Sequence, residues 1–116
     1  MIRPAVCADA PGIYTLICAL EETRFPQEIF MWGLDIMLGS PSHILLVSEE
    51  QGDIVGLLYM RMEFQLHHCG KVAEILELIV SREVCSKGIG AALLKAARAQ
   101  AVQQHCIQFE VTSNRK

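Results

Sequence analysis

The spacing of hydrophobic residues changes along the chain, and each change predicts a new structural element. A short apolar run over 2–6 predicts a first strand. Apolar residues then recur three and four positions apart, which predicts an amphipathic helix over 10–22 with Asp9 at its N-cap. Pro26 opens a second helical segment, which ends at the turn-forming residues 39–41. The first third of the chain is therefore predicted to be one strand followed by two helices.

From residue 43 onward the pattern has a period of two, which is typical of strands with one buried face. Segments 43–50 and 54–66 flank the turn Gln51-Gly52-Asp53 and predict a hairpin. In the second strand we expect the apolar residues to face a core and the polar residues to face solvent or ligand. The apolar set is Leu58, Met60, Met62, Phe64 and Leu66, and the polar set is Tyr59, Arg61, Glu63, Gln65 and His67.

A strand, a helix and a strand complete the pattern. Residues 72–80 are almost entirely apolar, a helix begins at Gly88-Ile89-Gly90, and 107–112 predicts the closing strand. Such a unit joins parallel strands by a right-handed crossover. The predicted fold class is α/β with a mixed (α+β) sheet in one domain, 1–116, and the functional site belongs at the carboxyl end of strand 72–80. The apolar stripe of the helix is Ile89, Leu93, Ala97 and Ala101.

Composition narrows the range of partners. The formal net charge is −3 and the sequence has no basic stripe, which argues against a nucleic-acid surface. No apolar run approaches the roughly 20 residues of a membrane helix, and none at the start resembles a signal peptide. Five widely spaced cysteines without a C-x-x-C pair indicate reduced thiols. We therefore expect a cytoplasmic protein with small-molecule partners.

The segment Cys85-Ser86-Lys87-Gly88-Ile89-Gly90 is the strongest local signal for a bound phosphate. Glycines allow the backbone to approach a phosphate, free N–H groups at a helix start point at it, and Lys87 adds a cation. The spacing does not fit a P-loop, and Leu93 stands where the dinucleotide fingerprint requires its third glycine. A nucleotide-binding module is therefore disfavoured. An ordinary glycine-containing loop explains the hexapeptide equally well.

Residues 78–94 resemble the acetyl-coenzyme A motif of the GNAT superfamily, Arg/Gln-x-x-Gly-x-Gly/Ala, and segments 2–5 and 110–114 resemble flanking strands of that fold. The resemblance implies an acyl-CoA N-acyltransferase fold, with acetyl-CoA as cosubstrate and an amine as acceptor. It further implies that backbone N–H groups of Leu78 and Val80 hold the pantetheine arm and polarise the thioester. The implied cofactor contacts are Leu78, Ile79, Val80, Cys85, Ser86, Lys87, Gly88, Ile89, Gly90, Ala91 and Asn114.

Segments 14–21, 64–68 and 74–80 resemble the branch of the superfamily that acetylates aminoalkylphosphonates. This resemblance implies direct attack of a small amine on the thioester in a ternary complex. A carboxylate must accept the proton of the amine, directly or through water, and Glu74 and Glu77 are the candidates. Because they lie three positions apart on a strand, we expect them to face opposite sides, with at most one in the cleft.

Arg61, His67 and His68 are the candidate substrate-binding residues. Arg61 is a nearby cation for an anionic phosphonate. Phosphonate-acetylating relatives are associated with a divalent metal, so His67, His68 and a nearby Glu form a conceivable metal site. Adjacent residues on a strand face opposite sides, so a metal site using both histidines requires that the strand has ended. A core or loop position and a hydrogen bond to substrate are the alternatives.

Two departures from the superfamily affect the expected activity. Cys85 replaces the preferred Arg or Gln, and the superfamily continues beyond Asn114 with a helix carrying a Phe-Tyr pair and two further strands. We expect the chain to lack that helix and the last two strands, including the Tyr that commonly protonates the leaving thiolate. A catalytically inactive domain that binds CoA or mediates assembly is therefore the alternative function. An uncovered last strand could also pair with a second copy in a homodimer.

Overall fold

The computed structural model describes residues 1–84 and 87–111, and its elements follow the predicted order. The strands form one sheet in the order β1-β2-β3-β4-β5, antiparallel as far as β4, with β5 parallel to β4. The predicted α/β class with a mixed sheet is confirmed. Strands β1 to β5 span Ile2–Pro4, His43–Glu50, Asp53–Gln65, Gly70–Val80 and Gln108–Val111, and helices α1 to α3 span Ala10–Glu21, Gln27–Leu38 and Ile89–Gln103.

Helices cover both faces of the sheet, so the chain has two apolar cores. Helix α3 packs on one face, and its predicted stripe is buried there: Ile89, Leu93, Ala97 and Ala101. Helices α1 and α2 pack on the opposite face, where Ile13, Leu16 and Leu34 meet the strands. Burial on both faces explains why Leu57 is buried as fully as its neighbour Leu58 in β3.

The outer end of β3 departs from the prediction. Leu58, Met60 and Met62 are buried against α3 as expected. Phe64 and Leu66, from the same predicted apolar set, are 61% and 88% exposed. These two residues lie where the β3–β4 hairpin extends beyond the apolar core under α3, so alternation alone placed them incorrectly in the core.

Asp9 occupies the predicted N-cap position of α1 but makes no capping hydrogen bond to that helix. A 3₁₀ turn, Cys7–Asp9, leads into α1, and the Asp9 carboxylate accepts the N–H of Val6 at 2.8 Å. Both of its oxygens also accept hydrogen bonds from the guanidinium of Arg3 at 2.8 Å. Arg3 in turn contacts Glu49 of β2 at 2.8 Å, so the ion pairs join the start of α1 to the sheet.

Two of the predictions from composition concern these described residues. The four cysteines in this part of the chain are free, as expected for reduced thiols. No helix in residues 1–84 or 87–111 is long and apolar enough to cross a membrane.

Candidate active site

Strand β4 contains one extra residue near its middle. Along β3 the partners of Met60 and Tyr59 are Ile75 and Glu77, so Leu76 has no partner and forms a β-bulge. Pairing with β5 runs only from Val72 to Ile75. The bulge therefore divides β4 into a first half paired on both edges and a second half paired only with β3 among the described residues.

The bulge reverses the sides to which the later residues of β4 point. Glu74 pairs with Arg61 and Glu77 pairs with Tyr59, and these two partners lie two apart on β3. Residues two apart on a strand share a face, so Glu74 and Glu77 lie on the same face of the sheet. The expectation that they face opposite sides is wrong, because it assumed a strand without the extra residue. Both carboxylates lie on the face that α1 and α2 partly cover.

The edge of β4 that is unpaired in the described part of the chain presents backbone donors. The N–H of Ser81 donates to the carbonyl of Val55 on β3 at 2.8 Å. Since N–H groups alternate in direction along a strand, that of Ile79 also points toward β3, whereas those of Leu78 and Val80 point to the other edge. The Ile79 side chain is buried in the core under α1 and α2. Leu78 and Val80 are thus the residues of this segment that can bind an extended ligand through their backbone.

The start of α3 lies beside this edge. Gly88 is the N-cap residue with φ 78°, a left-handed conformation that glycine adopts without strain, and no side chain among the described residues caps the helix. The first intrahelical bond runs from the N–H of Ala92 to the carbonyl of Gly88, so the N–H groups of Ile89, Gly90 and Ala91 have no partner within the helix and can face a ligand. A Cβ on Gly90 would stand 3.7 Å from Val80. Helix start and strand edge therefore border one site.

Close packing holds the helix start in place. A Cβ on Gly56 of β3 would lie 3.0 Å from Ile89 and 3.1 Å from Leu93, so this glycine lets the first turn of α3 approach the sheet. Lys87 and Ala91 are exposed at the opening. Uncapped N–H groups, the positive end of the helix dipole and a lysine suit the pyrophosphate of acetyl-CoA. Of the expected cofactor contacts, Cys85, Ser86 and Asn114 lie outside the described residues.

Charged and aromatic side chains share the face on which Glu74 and Glu77 lie. The guanidinium of Arg61 lies between two carboxylates, 3.5 Å from Glu63 and 3.4 Å from Glu74. The Tyr59 hydroxyl and Nδ1 of His43 are 3.0 Å apart, and the two rings stack with centroids 5.5 Å apart. Burial raises the pKa of Tyr59; the charge of Arg61 lowers that pKa and the charge of Glu77 raises it, each by less than burial does.

Sequence reasoning gave no role to this Tyr59–His43 pair. The two residues belong to different strands of the hairpin and meet only through its register. The alternation of β3 did place Tyr59 on a polar face together with Arg61. The alternation therefore indicated the face on which Tyr59 lies, whereas no sequence pattern indicated a role for His43.

His67 and His68 follow the end of β3 in the turn that precedes β4. The strand has ended there, so their rings are close together, with centroids 4.2 Å apart. Within the described part of the chain, however, no three His, Cys, Asp or Glu side chains are grouped closely enough to hold a metal ion. The described residues therefore do not fit the expected divalent metal site, and we assign no chemical step to a metal.

Comparison with known proteins agrees with this geometry. Residues 10–116 match the Acetyltransferase (GNAT) family. The aminoalkylphosphonate N-acetyltransferase of Salmonella typhimurium is 30% identical over 115 residues, which cover 99% of this chain and 75% of that protein.

Solved structures share the fold at low sequence identity. A GNAT family acetyltransferase from Staphylococcus aureus superposes with a TM-score of 0.87 at 18% identity, over 99% of this chain and 87% of that one. Glucosamine-6-phosphate N-acetyltransferase from Arabidopsis thaliana gives 0.84 at 20% identity, over 98% and 82% of the two chains. Taken with the family match, the divided strand and the uncapped helix show that the chain belongs to the GNAT acetyltransferase family and is an acetyl-CoA-dependent N-acetyltransferase.

Proposed function

We propose that the chain acetylates the amine of a small zwitterionic acceptor, an aminoalkylphosphonate, by direct attack on acetyl-CoA in a ternary complex. One observation carries the proposal: the bulge at Leu76 brings two carboxylates and Arg61 to one face, beside the edge of β4 that has no strand partner among residues 1–84 and 87–111. The acceptor has an amine at one end and a phosphonate at the other, so its binding site needs both carboxylates and a cation. The similarity to the Salmonella typhimurium enzyme supports the same acceptor class.

The backbone of this chain binds the cosubstrate in the proposed complex. N–H groups of Leu78 and Val80 donate to the pantetheine arm and to the thioester oxygen, where negative charge develops as the amine attacks. N–H groups at the start of α3, together with Lys87, hold the pyrophosphate. Leu78 and the first turn of α3 border the same opening, so the thioester lies beside the bulge.

Glu77 is the better placed of the two candidate bases. Glu74 lies 3.4 Å from Arg61, in the half of β4 that also pairs with β5. Glu77 lies beyond the bulge, adjacent to Leu78, where the proposed thioester site begins. We expect Glu77→Gln to lower kcat by about 10²–10⁴-fold, the usual contribution of a general base, and Glu74→Gln to lower it less.

Calorimetry with acetyl-CoA and a thiol-release assay test the proposal. We expect acetyl-CoA to bind, and acetylation to be faster with an aminoalkylphosphonate than with the matched alkylamine, a polyamine or an amino acid. Arg61→Gln should raise KM for the phosphonate and not for the alkylamine, whereas Arg98→Gln on α3 serves as a matched control. Activity confined to polyamines or amino acids would refute the phosphonate acceptor.

The alternative of an inactive domain predicts a different result from the same assays. Such a domain would bind acetyl-CoA without releasing thiol with any amine. Similarity to proteins named as N-acetyltransferases favours turnover over this alternative.

Oligomeric state and cellular location also stay predictions. We infer a cytoplasmic protein, and a homodimer is the oligomer that pairing through the last strand would produce. Light scattering during gel filtration measures the mass of the particle directly, and a monomer at high protein concentration would contradict the dimer.

A further inference from the structure

We propose that Tyr59 and His43 carry the proton released by the acceptor amine from Glu77 to solvent. The inference rests on the proposed function, because it assigns the next step for a proton that the acceptor must lose. It concerns two residues to which neither the family motif nor the sequence pattern gives a role.

The position of the pair follows from the register of three strands. Tyr59 is the cross-strand partner of Glu77 on one side and of Leu45 on the other. His43 is two residues from Leu45 on β2, so it shares the face of Tyr59. Tyr59 therefore lies between the proposed base and the imidazole.

The contact between the two side chains is specific. The hydroxyl of Tyr59 lies 3.0 Å from Nδ1 of His43, and the rings stack at 30°. Both side chains are half-buried, and Tyr59 packs against the core under α1 and α2. Such packing fixes the hydroxyl in place, while the exposed part of the imidazole can exchange protons with water.

Charged side chains of β3 and β4 share the face of the pair. They are Arg61, Glu63, Glu74 and Glu77, and Arg61 is directly opposite His43 in the register. The raised pKa of Tyr59 keeps its hydroxyl protonated, as a group that both donates and accepts must be.

The proton transfers balance without an added reactant. As the amine nitrogen bonds to the acetyl carbon and the carbon–sulfur bond breaks, the sulfur leaves with the electron pair and Glu77 takes a proton from the nitrogen. The carboxyl proton moves to the Tyr59 oxygen, directly or through one water, while the Tyr59 hydroxyl proton moves to Nδ1 of His43. The imidazolium then loses a proton to solvent.

The pH profile of kcat/KM tests the inference with His43→Asn, which can still accept the Tyr59 hydroxyl but does not titrate near neutral pH. The profile rises with pH because the amine must be neutral. For the wild type we expect it to steepen on the acid side, because an imidazole that already carries a proton cannot accept one from Tyr59. His43→Asn should remove that steepening, and Tyr59→Phe should remove it while lowering kcat about 10-fold or more.

The controls separate proton transfer from a structural role. His105→Asn, at a left-handed position that Asn tolerates, should leave the profile unchanged. Calorimetry should give the wild-type Kd for acetyl-CoA in every variant. A steepening retained in His43→Asn would overturn the inference. A wild type that acetylates no amine would instead contradict the proposed function, so the two failures are distinguishable.

Discussion

Both helical layers pack on the sheet through apolar contacts, and ion pairs add to these contacts at the start of α1. Helix α3 is held by apolar contacts, with Leu93 and Ala97 fully buried. The start of α1 is held by ion pairs, in which Arg3 bridges the carboxylates of Asp9 and Glu49. Apolar packing does not depend on pH, whereas a carboxylate ion pair does. The attachment of α3 is therefore expected to be independent of pH, whereas one part of the attachment of α1 weakens in acid.

Truncation of the α3 contact should produce the largest effect. Leu93 has no exposed surface, so Leu93→Ala should lower the free energy of unfolding by about 2–5 kcal/mol through lost burial and a cavity. Urea denaturation measures this loss. The same substitution at Leu66, which is 88% exposed, should change stability by about 0.5 kcal/mol or less. Equal effects at the two sites would contradict the apolar attachment of α3.

Crowding the same contact from the sheet side should have the next largest effect. Gly56→Val adds atoms where a Cβ alone would lie 3.0 Å from Ile89, and overpacking of this kind costs about 1–3 kcal/mol. Displacing the start of α3 should also weaken acetyl-CoA binding, which calorimetry measures. Gly33→Ala is the control, because a Cβ there meets nothing within 4 Å. Unchanged cofactor affinity in Gly56→Val would show that the helix start does not need this close approach.

Straining the helix start without crowding it should have a smaller effect. Gly88 and Gly52 have φ of 78° and 87°, and a Cβ meets nothing within 4 Å at either. Alanine at each position should therefore cost about 1–2 kcal/mol by strain alone. We expect only Gly88→Ala to weaken acetyl-CoA binding as well. Equal cofactor affinities in the two variants would argue against a pyrophosphate site at this helix start.

The ion-paired attachment of α1 should give the smallest effect, because it is lost only in acid. Hydrogen bonds from Arg3 lower the pKa of Asp9, outweighing the opposite effect of burial. Its stabilisation is present above the unfolded pKa of about 3.9 and is lost as pH falls through the folded value. Urea unfolding from pH 6 to pH 2 should show wild type and Asp9→Asn converging below about pH 4. A constant difference over that range would contradict the ion-paired attachment.

The spacing of apolar residues predicted the helices and strands well, because the residues that each element buries recur at a regular interval within that element. The stripe of α3 and the buried half of β3 are read directly from apolar spacing. Phe64 and Leu66 were misplaced because alternation shows which residues share a face and does not show where the covering layer ends. The position of Asp9 was also right, but its carboxylate pairs with Arg3, a partner that local spacing does not reveal.

The acceptor face could not be predicted because it depends on strand register. The turn sets Glu50 opposite Asp53, and continuing that register would place His43 opposite Met60, which is buried under α3. A shift between Ser48 and Glu49 moves His43 opposite Arg61 and onto the face of Tyr59. The bulge in β4 likewise moves Glu77 onto the face of Tyr59. Neither shift can be recognised from the spacing of apolar residues in the sequence.

The extra residue at Leu76 has a consequence for how such a site can arise. Removing it would restore an unbroken ladder and turn Glu77 and every later residue of β4 to the opposite face. A substitution keeps the number of residues in the strand, whereas a deletion changes that number. A strand that only supports the sheet and a strand that binds a substrate would then differ by the insertion of a single codon, so in this part of the fold function depends on chain length as much as on chemistry.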